Sequence, residues 1–168
     1  MWSVVTFTHL HMKRSQDNAQ ASVSVRVNPE WKIGIVYSDF YTEETATMIS
    51  HTKKTLLNHG IQEECISLHP ASGSFEIPLL GAALVRHAAV DALIGLGIIV
   101  EGETQHARLV AENTVRGIMD IQVQHAIPFV CEVLYVSSLH LAKERLYKGE
   151  DAALCALHSL AQLESMQS

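Results

Sequence analysis

The sequence predicts an α/β fold: three layers, with helices on both faces of a central, mainly parallel four-stranded sheet, preceded by one additional N-terminal strand. Two observations carry this reading. Apolar runs of strand length, at residues 32–37, 64–68, 91–100 and 128–136, alternate with longer segments of helical period. The chain has 168 residues, 48% of them apolar and 18% charged, which is enough apolar side chain for one domain with a sizeable core.

Taken in order, residues 1–20 are expected to form a flexible tail, and residues 21–168 a single domain. In 21–27, small or polar residues alternate with Val23, Val25 and Val27, the period-two pattern of a half-buried strand, until Asn28 and Pro29 interrupt it. Such a strand needs an edge to pair with, on its own sheet or on a neighbouring subunit. The core begins with strand 32–37, then helix 43–59, stopped by Gly60, and the short strand 64–68. Helix 78–87 opens on Pro78, a residue suited to the first helical turn. Strand 91–100, the long helix 104–125 and strand 128–136 follow; helices 138–148 and 151–166 close the chain, separated at Gly149. In open parallel sheets, ligands bind beyond the carboxyl ends of the strands, where strand order reverses. The loops carrying Phe40 and Gly102 are therefore expected to face each other across a cleft.

Composition also excludes function classes. A net charge of −6 and the absence of any Lys/Arg cluster argue against a nucleic-acid partner. Cys65, Cys131 and Cys155 are odd in number and far apart, so neither a disulfide framework nor a structural zinc site is expected, and a reducing cytoplasm fits. No apolar run reaches the roughly 18 residues of a transmembrane span. The mildly apolar stretch 2–10 precedes Lys13 and Arg14, the wrong order for a secretory signal, and Met12 offers a second start. No Gly-x-Gly-x-x-Gly or Walker loop is present, and the histidines show no ligand spacing, so neither a nucleotide cofactor nor a metal is expected.

Two segments carry chemistry. Gly102-Glu103-Thr104-Gln105-His106 follows the apolar run 92–100. A strand that turns on glycine into a helix aims unpaired N–H groups and the positive end of the helix dipole at an anion. His106 adds a side chain able to give or take a proton at neutral pH. An ordinary strand-to-helix connection with a surface histidine is the alternative reading of these five residues. The second segment, Gly73-Ser74-Phe75-Glu76-Ile77-Pro78, places a carboxylate able to accept hydrogen bonds from sugar-like hydroxyls just before a helix.

Together, in order and at this separation, these motifs resemble the 6,7-dimethyl-8-ribityllumazine synthase family, over residues 32–163. Gly117-Ile118, Phe40, the stretch 128–134 and Glu144-Arg145 add to the likeness. The resemblance implies a flavodoxin-like fold. It also implies the penultimate step of riboflavin biosynthesis, condensation of 5-amino-6-(D-ribitylamino)uracil with 3,4-dihydroxy-2-butanone 4-phosphate, releasing phosphate and water without metal or organic cofactor. It assigns His106 to proton transfer and Phe40 to stacking on the pyrimidine. Ser74, Phe75, Glu76, Ile98 and Ile99 would hold the ribityl chain and ring. Gly102, Glu103 and Thr104 would cradle the phosphate, with Arg145 from an adjacent subunit; Lys148 matches a family lysine near the same substrate. The family forms homo-pentamers, some of which associate into decamers or sixty-subunit shells.

The chain departs from the usual pattern at four places. Asp39 and Tyr41 flank Phe40 where Arg and a small polar residue such as Asn are commoner. Glu101 stands where Arg is frequent, beside the expected phosphate, and Cys131 where many members cover the pyrimidine with Phe. A catalytically weak paralogue that binds flavin or lumazine and a structural shell protein are the alternative functions; the distantly similar archaeal riboflavin synthases are a further one.

Overall fold

The computed structural model describes residues 3–7 and 23–167. Its elements are β1 (Ser3–Phe7), β2 (Val23–Val27), β3 (Ile33–Ser38), α1 (Thr42–Asn58), β4 (Ile66–Ala71), α2 (Ile77–Arg86) and β5 (Ala92–Val100). They continue with α3 (His106–His125), β6 (Phe129–Val136), α4 (Leu139–Lys143) and α5 (Lys148–Gln167). Short 3₁₀ turns at Glu63–Cys65 and Ser74–Glu76 lead into β4 and α2.

β3 to β6 form one parallel sheet in the order β4-β3-β5-β6. β5 is buried from Ala92 to Ile99, as a strand covered on both faces must be, which is why its sequence is apolar without alternation. On one face Ile33, Ile35, Ile94 and Leu96 pack with Met48 and Leu56 of α1 and Leu157 of α5. On the other, Val36, Leu93 and Phe129 pack with Ile77 of α2 and Ile118 of α3. Each fully buried side chain of this size contributes about 1.5–3 kcal/mol. The three-layer α/β arrangement expected from the sequence is the one observed. No helix among the described residues is long and apolar enough to cross a membrane.

Several boundaries moved for physical reasons. β4 runs Ile66–Ala71 rather than 64–68, because 63–65 wind into the 3₁₀ turn; Pro70 is tolerated there since β4 is an edge strand. α3 starts at His106, not at 104. α1 ends where Gly60 takes the left-handed φ of 93°, with Ile61 N–H donating back to Leu56 O at 3.1 Å. Gly149 does not separate the last two helices: α4 is short, residues 144–147 turn, and Gly149 lies inside the first turn of α5, buried against α1. β2 pairs antiparallel with β1 in a separate two-stranded sheet, so Ser3–Phe7, within the expected tail, is a strand. The rest of that tail, apart from those residues, lies outside the described residues.

Candidate active site

The chain passes from β3 to β4 on one side and reaches β5 on the other, so strand order reverses between β3 and β5. A cavity of about 520 Å³ opens at that reversal, lined by Phe40, Ser74, Phe75, Glu76, Ile98, Ile99 and His106, together with Ser38, Tyr41 and Asn113. The size is that of a small-molecule site. Seven of the sequence-expected site residues are thus brought together by the loop after β3, the turn before α2, the end of β5 and the start of α3.

Each is held by its own local device. Ser38, buried at the end of β3, accepts the Phe40 N–H at 3.3 Å, and Thr45 Oγ1 donates to Phe40 O at 3.0 Å, so the backbone around Phe40 is fixed at both sides. Phe40 itself is 61% exposed and lies beside Gly73, whose missing side chain would sit 3.7 Å from the ring. That leaves an aromatic face free for stacking. Tyr41 takes the left-handed conformation at φ 53°, ψ 55°, at a cost of about 1 kcal/mol for a residue of this type. Asn adopts this conformation more readily than a bulky aromatic residue.

The Ser74–Glu76 turn is tied to α3: Thr114 Oγ1, buried, donates to Ser74 O at 3.1 Å. Two glycines permit the fit. A Cβ on Gly97 would fall 2.7 Å from Ser74 Oγ, and one on Gly117 2.9 Å from Pro78, so α2, α3 and β5 close on the turn only because those positions lack side chains. Ile98 and Ile99 are buried at the end of β5 and line the cavity floor.

Val100 and His106, at the two ends of the exposed loop that carries Gly102, line the cavity together with Phe40, whereas Gly102, Glu103 and Thr104 themselves do not. A side chain at Gly102 would meet open space. Thr104 Oγ1 accepts the His106 N–H at 3.4 Å as the helix begins. Glu101, the residue that opposes an anion, is engaged elsewhere: Tyr135 Oη donates to its Oε1 at 3.0 Å, which also holds the Tyr135 phenol above its ordinary range together with burial, the larger cause.

Three further expected residues stand apart from this cavity. Cys131 and Lys148 line a second groove of about 370 Å³ between α3 and α5 along β6, the edge strand. Arg145 Nη1 donates to Leu141 O at 2.6 Å and lies 3.6 Å from Glu144. Within one chain, therefore, the expected substrate residues are divided among the cavity, the loop before α3, the groove along β6 and, for Arg145, the turn after α4. Burial pushes the Cys131 thiol up and so keeps it a poor nucleophile. Lys148 is held up by its hydrogen bond to Asp151 at 2.8 Å.

The same groove contains Glu132, which sequence reading missed because one polar residue in an apolar run carries no periodic signal. Burial raises its carboxyl to about 7, with Lys148 opposing and Asp151 adding to the rise. A folded-state pKa above the ordinary 4.5 means a stabilising contribution complete below that value and lost as pH rises through about 7. Glu132→Gln is accordingly expected to gain melting temperature on the wild type between pH 5 and pH 8; a difference that does not change with pH would contradict this. Thr114 was also missed, although it shares the buried stripe Ala111, Thr114, Ile118, Ile121.

Among the described residues no group of three or more His, Cys, Asp or Glu side chains is placed to hold a metal ion. The sequence model of the 6,7-dimethyl-8-ribityllumazine synthase family matches residues 30–164, a span that takes in the whole four-stranded sheet, the cavity and the second groove. The chain belongs to the 6,7-dimethyl-8-ribityllumazine synthase family.

Proposed function

We propose that this protein is a cytoplasmic transferase that condenses 5-amino-6-(D-ribitylamino)uracil with 3,4-dihydroxy-2-butanone 4-phosphate to 6,7-dimethyl-8-ribityllumazine, phosphate and water. The observation that carries this is the meeting of Phe40, the Ser74–Glu76 turn, the β5 end and His106 around one cavity in a chain of this family. In this reading Phe40 stacks on the pyrimidine, at a gain of about 0.5–1.5 kcal/mol beyond area burial. Ser74, Phe75, Glu76, Ile98 and Ile99 hold the ring and ribityl chain. Gly102, Glu103 and Thr104 receive the phosphate at the start of α3, where N–H groups and the helix dipole favour an anion. His106 carries protons during imine formation, phosphate elimination and ring closure. No metal or organic cofactor takes part.

Arg145, Lys148 and Cys131 join the site from a neighbouring subunit in this proposal, which accounts for their distance from the cavity of their own chain. A bidentate Arg145 is the natural partner of a phosphate. A homo-pentamer or a multiple of it follows: light scattering is expected to give at least five times the 18.5 kDa of one chain. A monomer would contradict the shared site.

The direct test is product fluorescence from the two purified substrates, compared with a protein-free control. A rate above the control, lowered by Arg145→Ala, supports the enzyme. A second reading, a flavin- or lumazine-binding protein with little catalysis, draws on Glu101 and Cys131; it predicts the control rate together with tight riboflavin binding.

A further inference from the structure

We propose that Glu132 is a substrate-facing residue of the groove along β6, where with Lys148 it recognises a ring N–H flanked by a carbonyl on a planar heterocycle. This rests on the function proposed above, in which Cys131 and Lys148 of the same groove meet the neighbouring subunit's substrate.

The groove has two unlike ends. Val115, Ile118 and Met119 of α3 give it an apolar wall, suited to the face of a ring. Glu132 from β6 and Lys148 and Asp151 from α5 give it the charged end. Glu132 lies on the strand face that carries Val130 and Leu134 towards α5, while Cys131 and Val133 turn to the α3 side. At an edge strand a ligand can touch both sets. An ammonium offers only donors, and an ionised carboxyl only acceptors. A ring amide edge presents the complement of that pair, a donor N–H beside an acceptor C=O. Lys148 and Asp151 are already bonded to each other, whereas Glu132 meets the groove from the opposite element.

Titration of this end is set by a known list of neighbours. Lys148, Asp151 and Cys155 face Glu132 from α5, and Cys131 adjoins it on β6; the α3 residues lining the groove, Val115, Ile118, Met119 and Gln122, do not titrate. Since burial places the Glu132 carboxyl near 7, it changes from donor-capable to acceptor-only across neutral pH.

The test is fluorescence titration of the full assembled chain with 6,7-dimethyl-8-ribityllumazine and with its derivative methylated at the ring N–H, between pH 6 and pH 7.5. Wild type is expected to prefer the N–H compound by at least about tenfold, the loss typical of one hydrogen bond to a charged group, and the preference should widen as pH rises. Glu132→Ala should remove the preference while sedimenting as the wild type does. Glu132→Gln, whose amide oxygen still accepts, should keep part of it and lose its pH dependence. An equal preference in wild type and Glu132→Ala, or none in wild type, overturns the assignment of Glu132 and leaves the function standing. Binding of neither compound by wild type overturns both.

Discussion

His106→Ala is expected to slow product formation by about 10²- to 10⁴-fold, roughly 3–5 kcal/mol of barrier, without abolishing it. His106 opens α3 and lines the cavity together with Phe40 and Glu76, which places its imidazole beside the substrate in the proposed reaction. The residual rate should remain well above the unassisted condensation, because holding two substrates in reacting orientation is a separate and large contribution. Steady-state rates with both substrates saturating decide the matter. A mutant as fast as the wild type would remove His106 from the mechanism, and a mutant reduced to the protein-free rate would remove substrate orientation as an independent contribution.

Gly149→Ala is expected to destabilise the fold by about 3 kcal/mol, at the upper end of the range for overpacking. The new Cβ would fall 2.3 Å from Met48 O and 2.9 Å from Thr52 Oγ1. The nearer atom belongs to the α1 backbone and cannot rotate away. Thr52 Oγ1 lies 2.9 Å from both Met48 O and Gly149 O, so parting α1 from α5 also disturbs a buried hydroxyl. For a chain of this length the melting temperature should fall by about 6–12 °C. A shift within 1–2 °C of wild type, roughly the scale of a neutral surface change, would show that the helices part at little cost.

The two predictions differ in how far the sequence anticipated them. His106 was legible because it ends a segment of fixed order, glycine turn and then helix start, whose chemistry depends on neighbouring residues in the chain. Gly149 was legible as a glycine but was read as a helix break. A glycine in sequence shows only that no side chain is present, and whether that freedom serves a turn or the approach of another helix depends on residue 48, about a hundred positions away. The same limit explains Thr114, whose tie to Ser74 spans 40 positions, and Glu132, whose neighbours Lys148 and Asp151 come from another element.

By itself, then, the sequence determined the α/β class, the order of the core elements and the family resemblance of the two loop motifs. These are properties of local period and short-range order, which apolar spacing and turn residues encode directly. Only the tertiary structure decided which of those residues share a cavity, that Glu101 is bound to Tyr135, and that Cys131 and Lys148 lie with Glu132 on the β6 edge. Such facts depend on strand order and on helices closing over glycines, and chain position does not specify distances across a folded sheet.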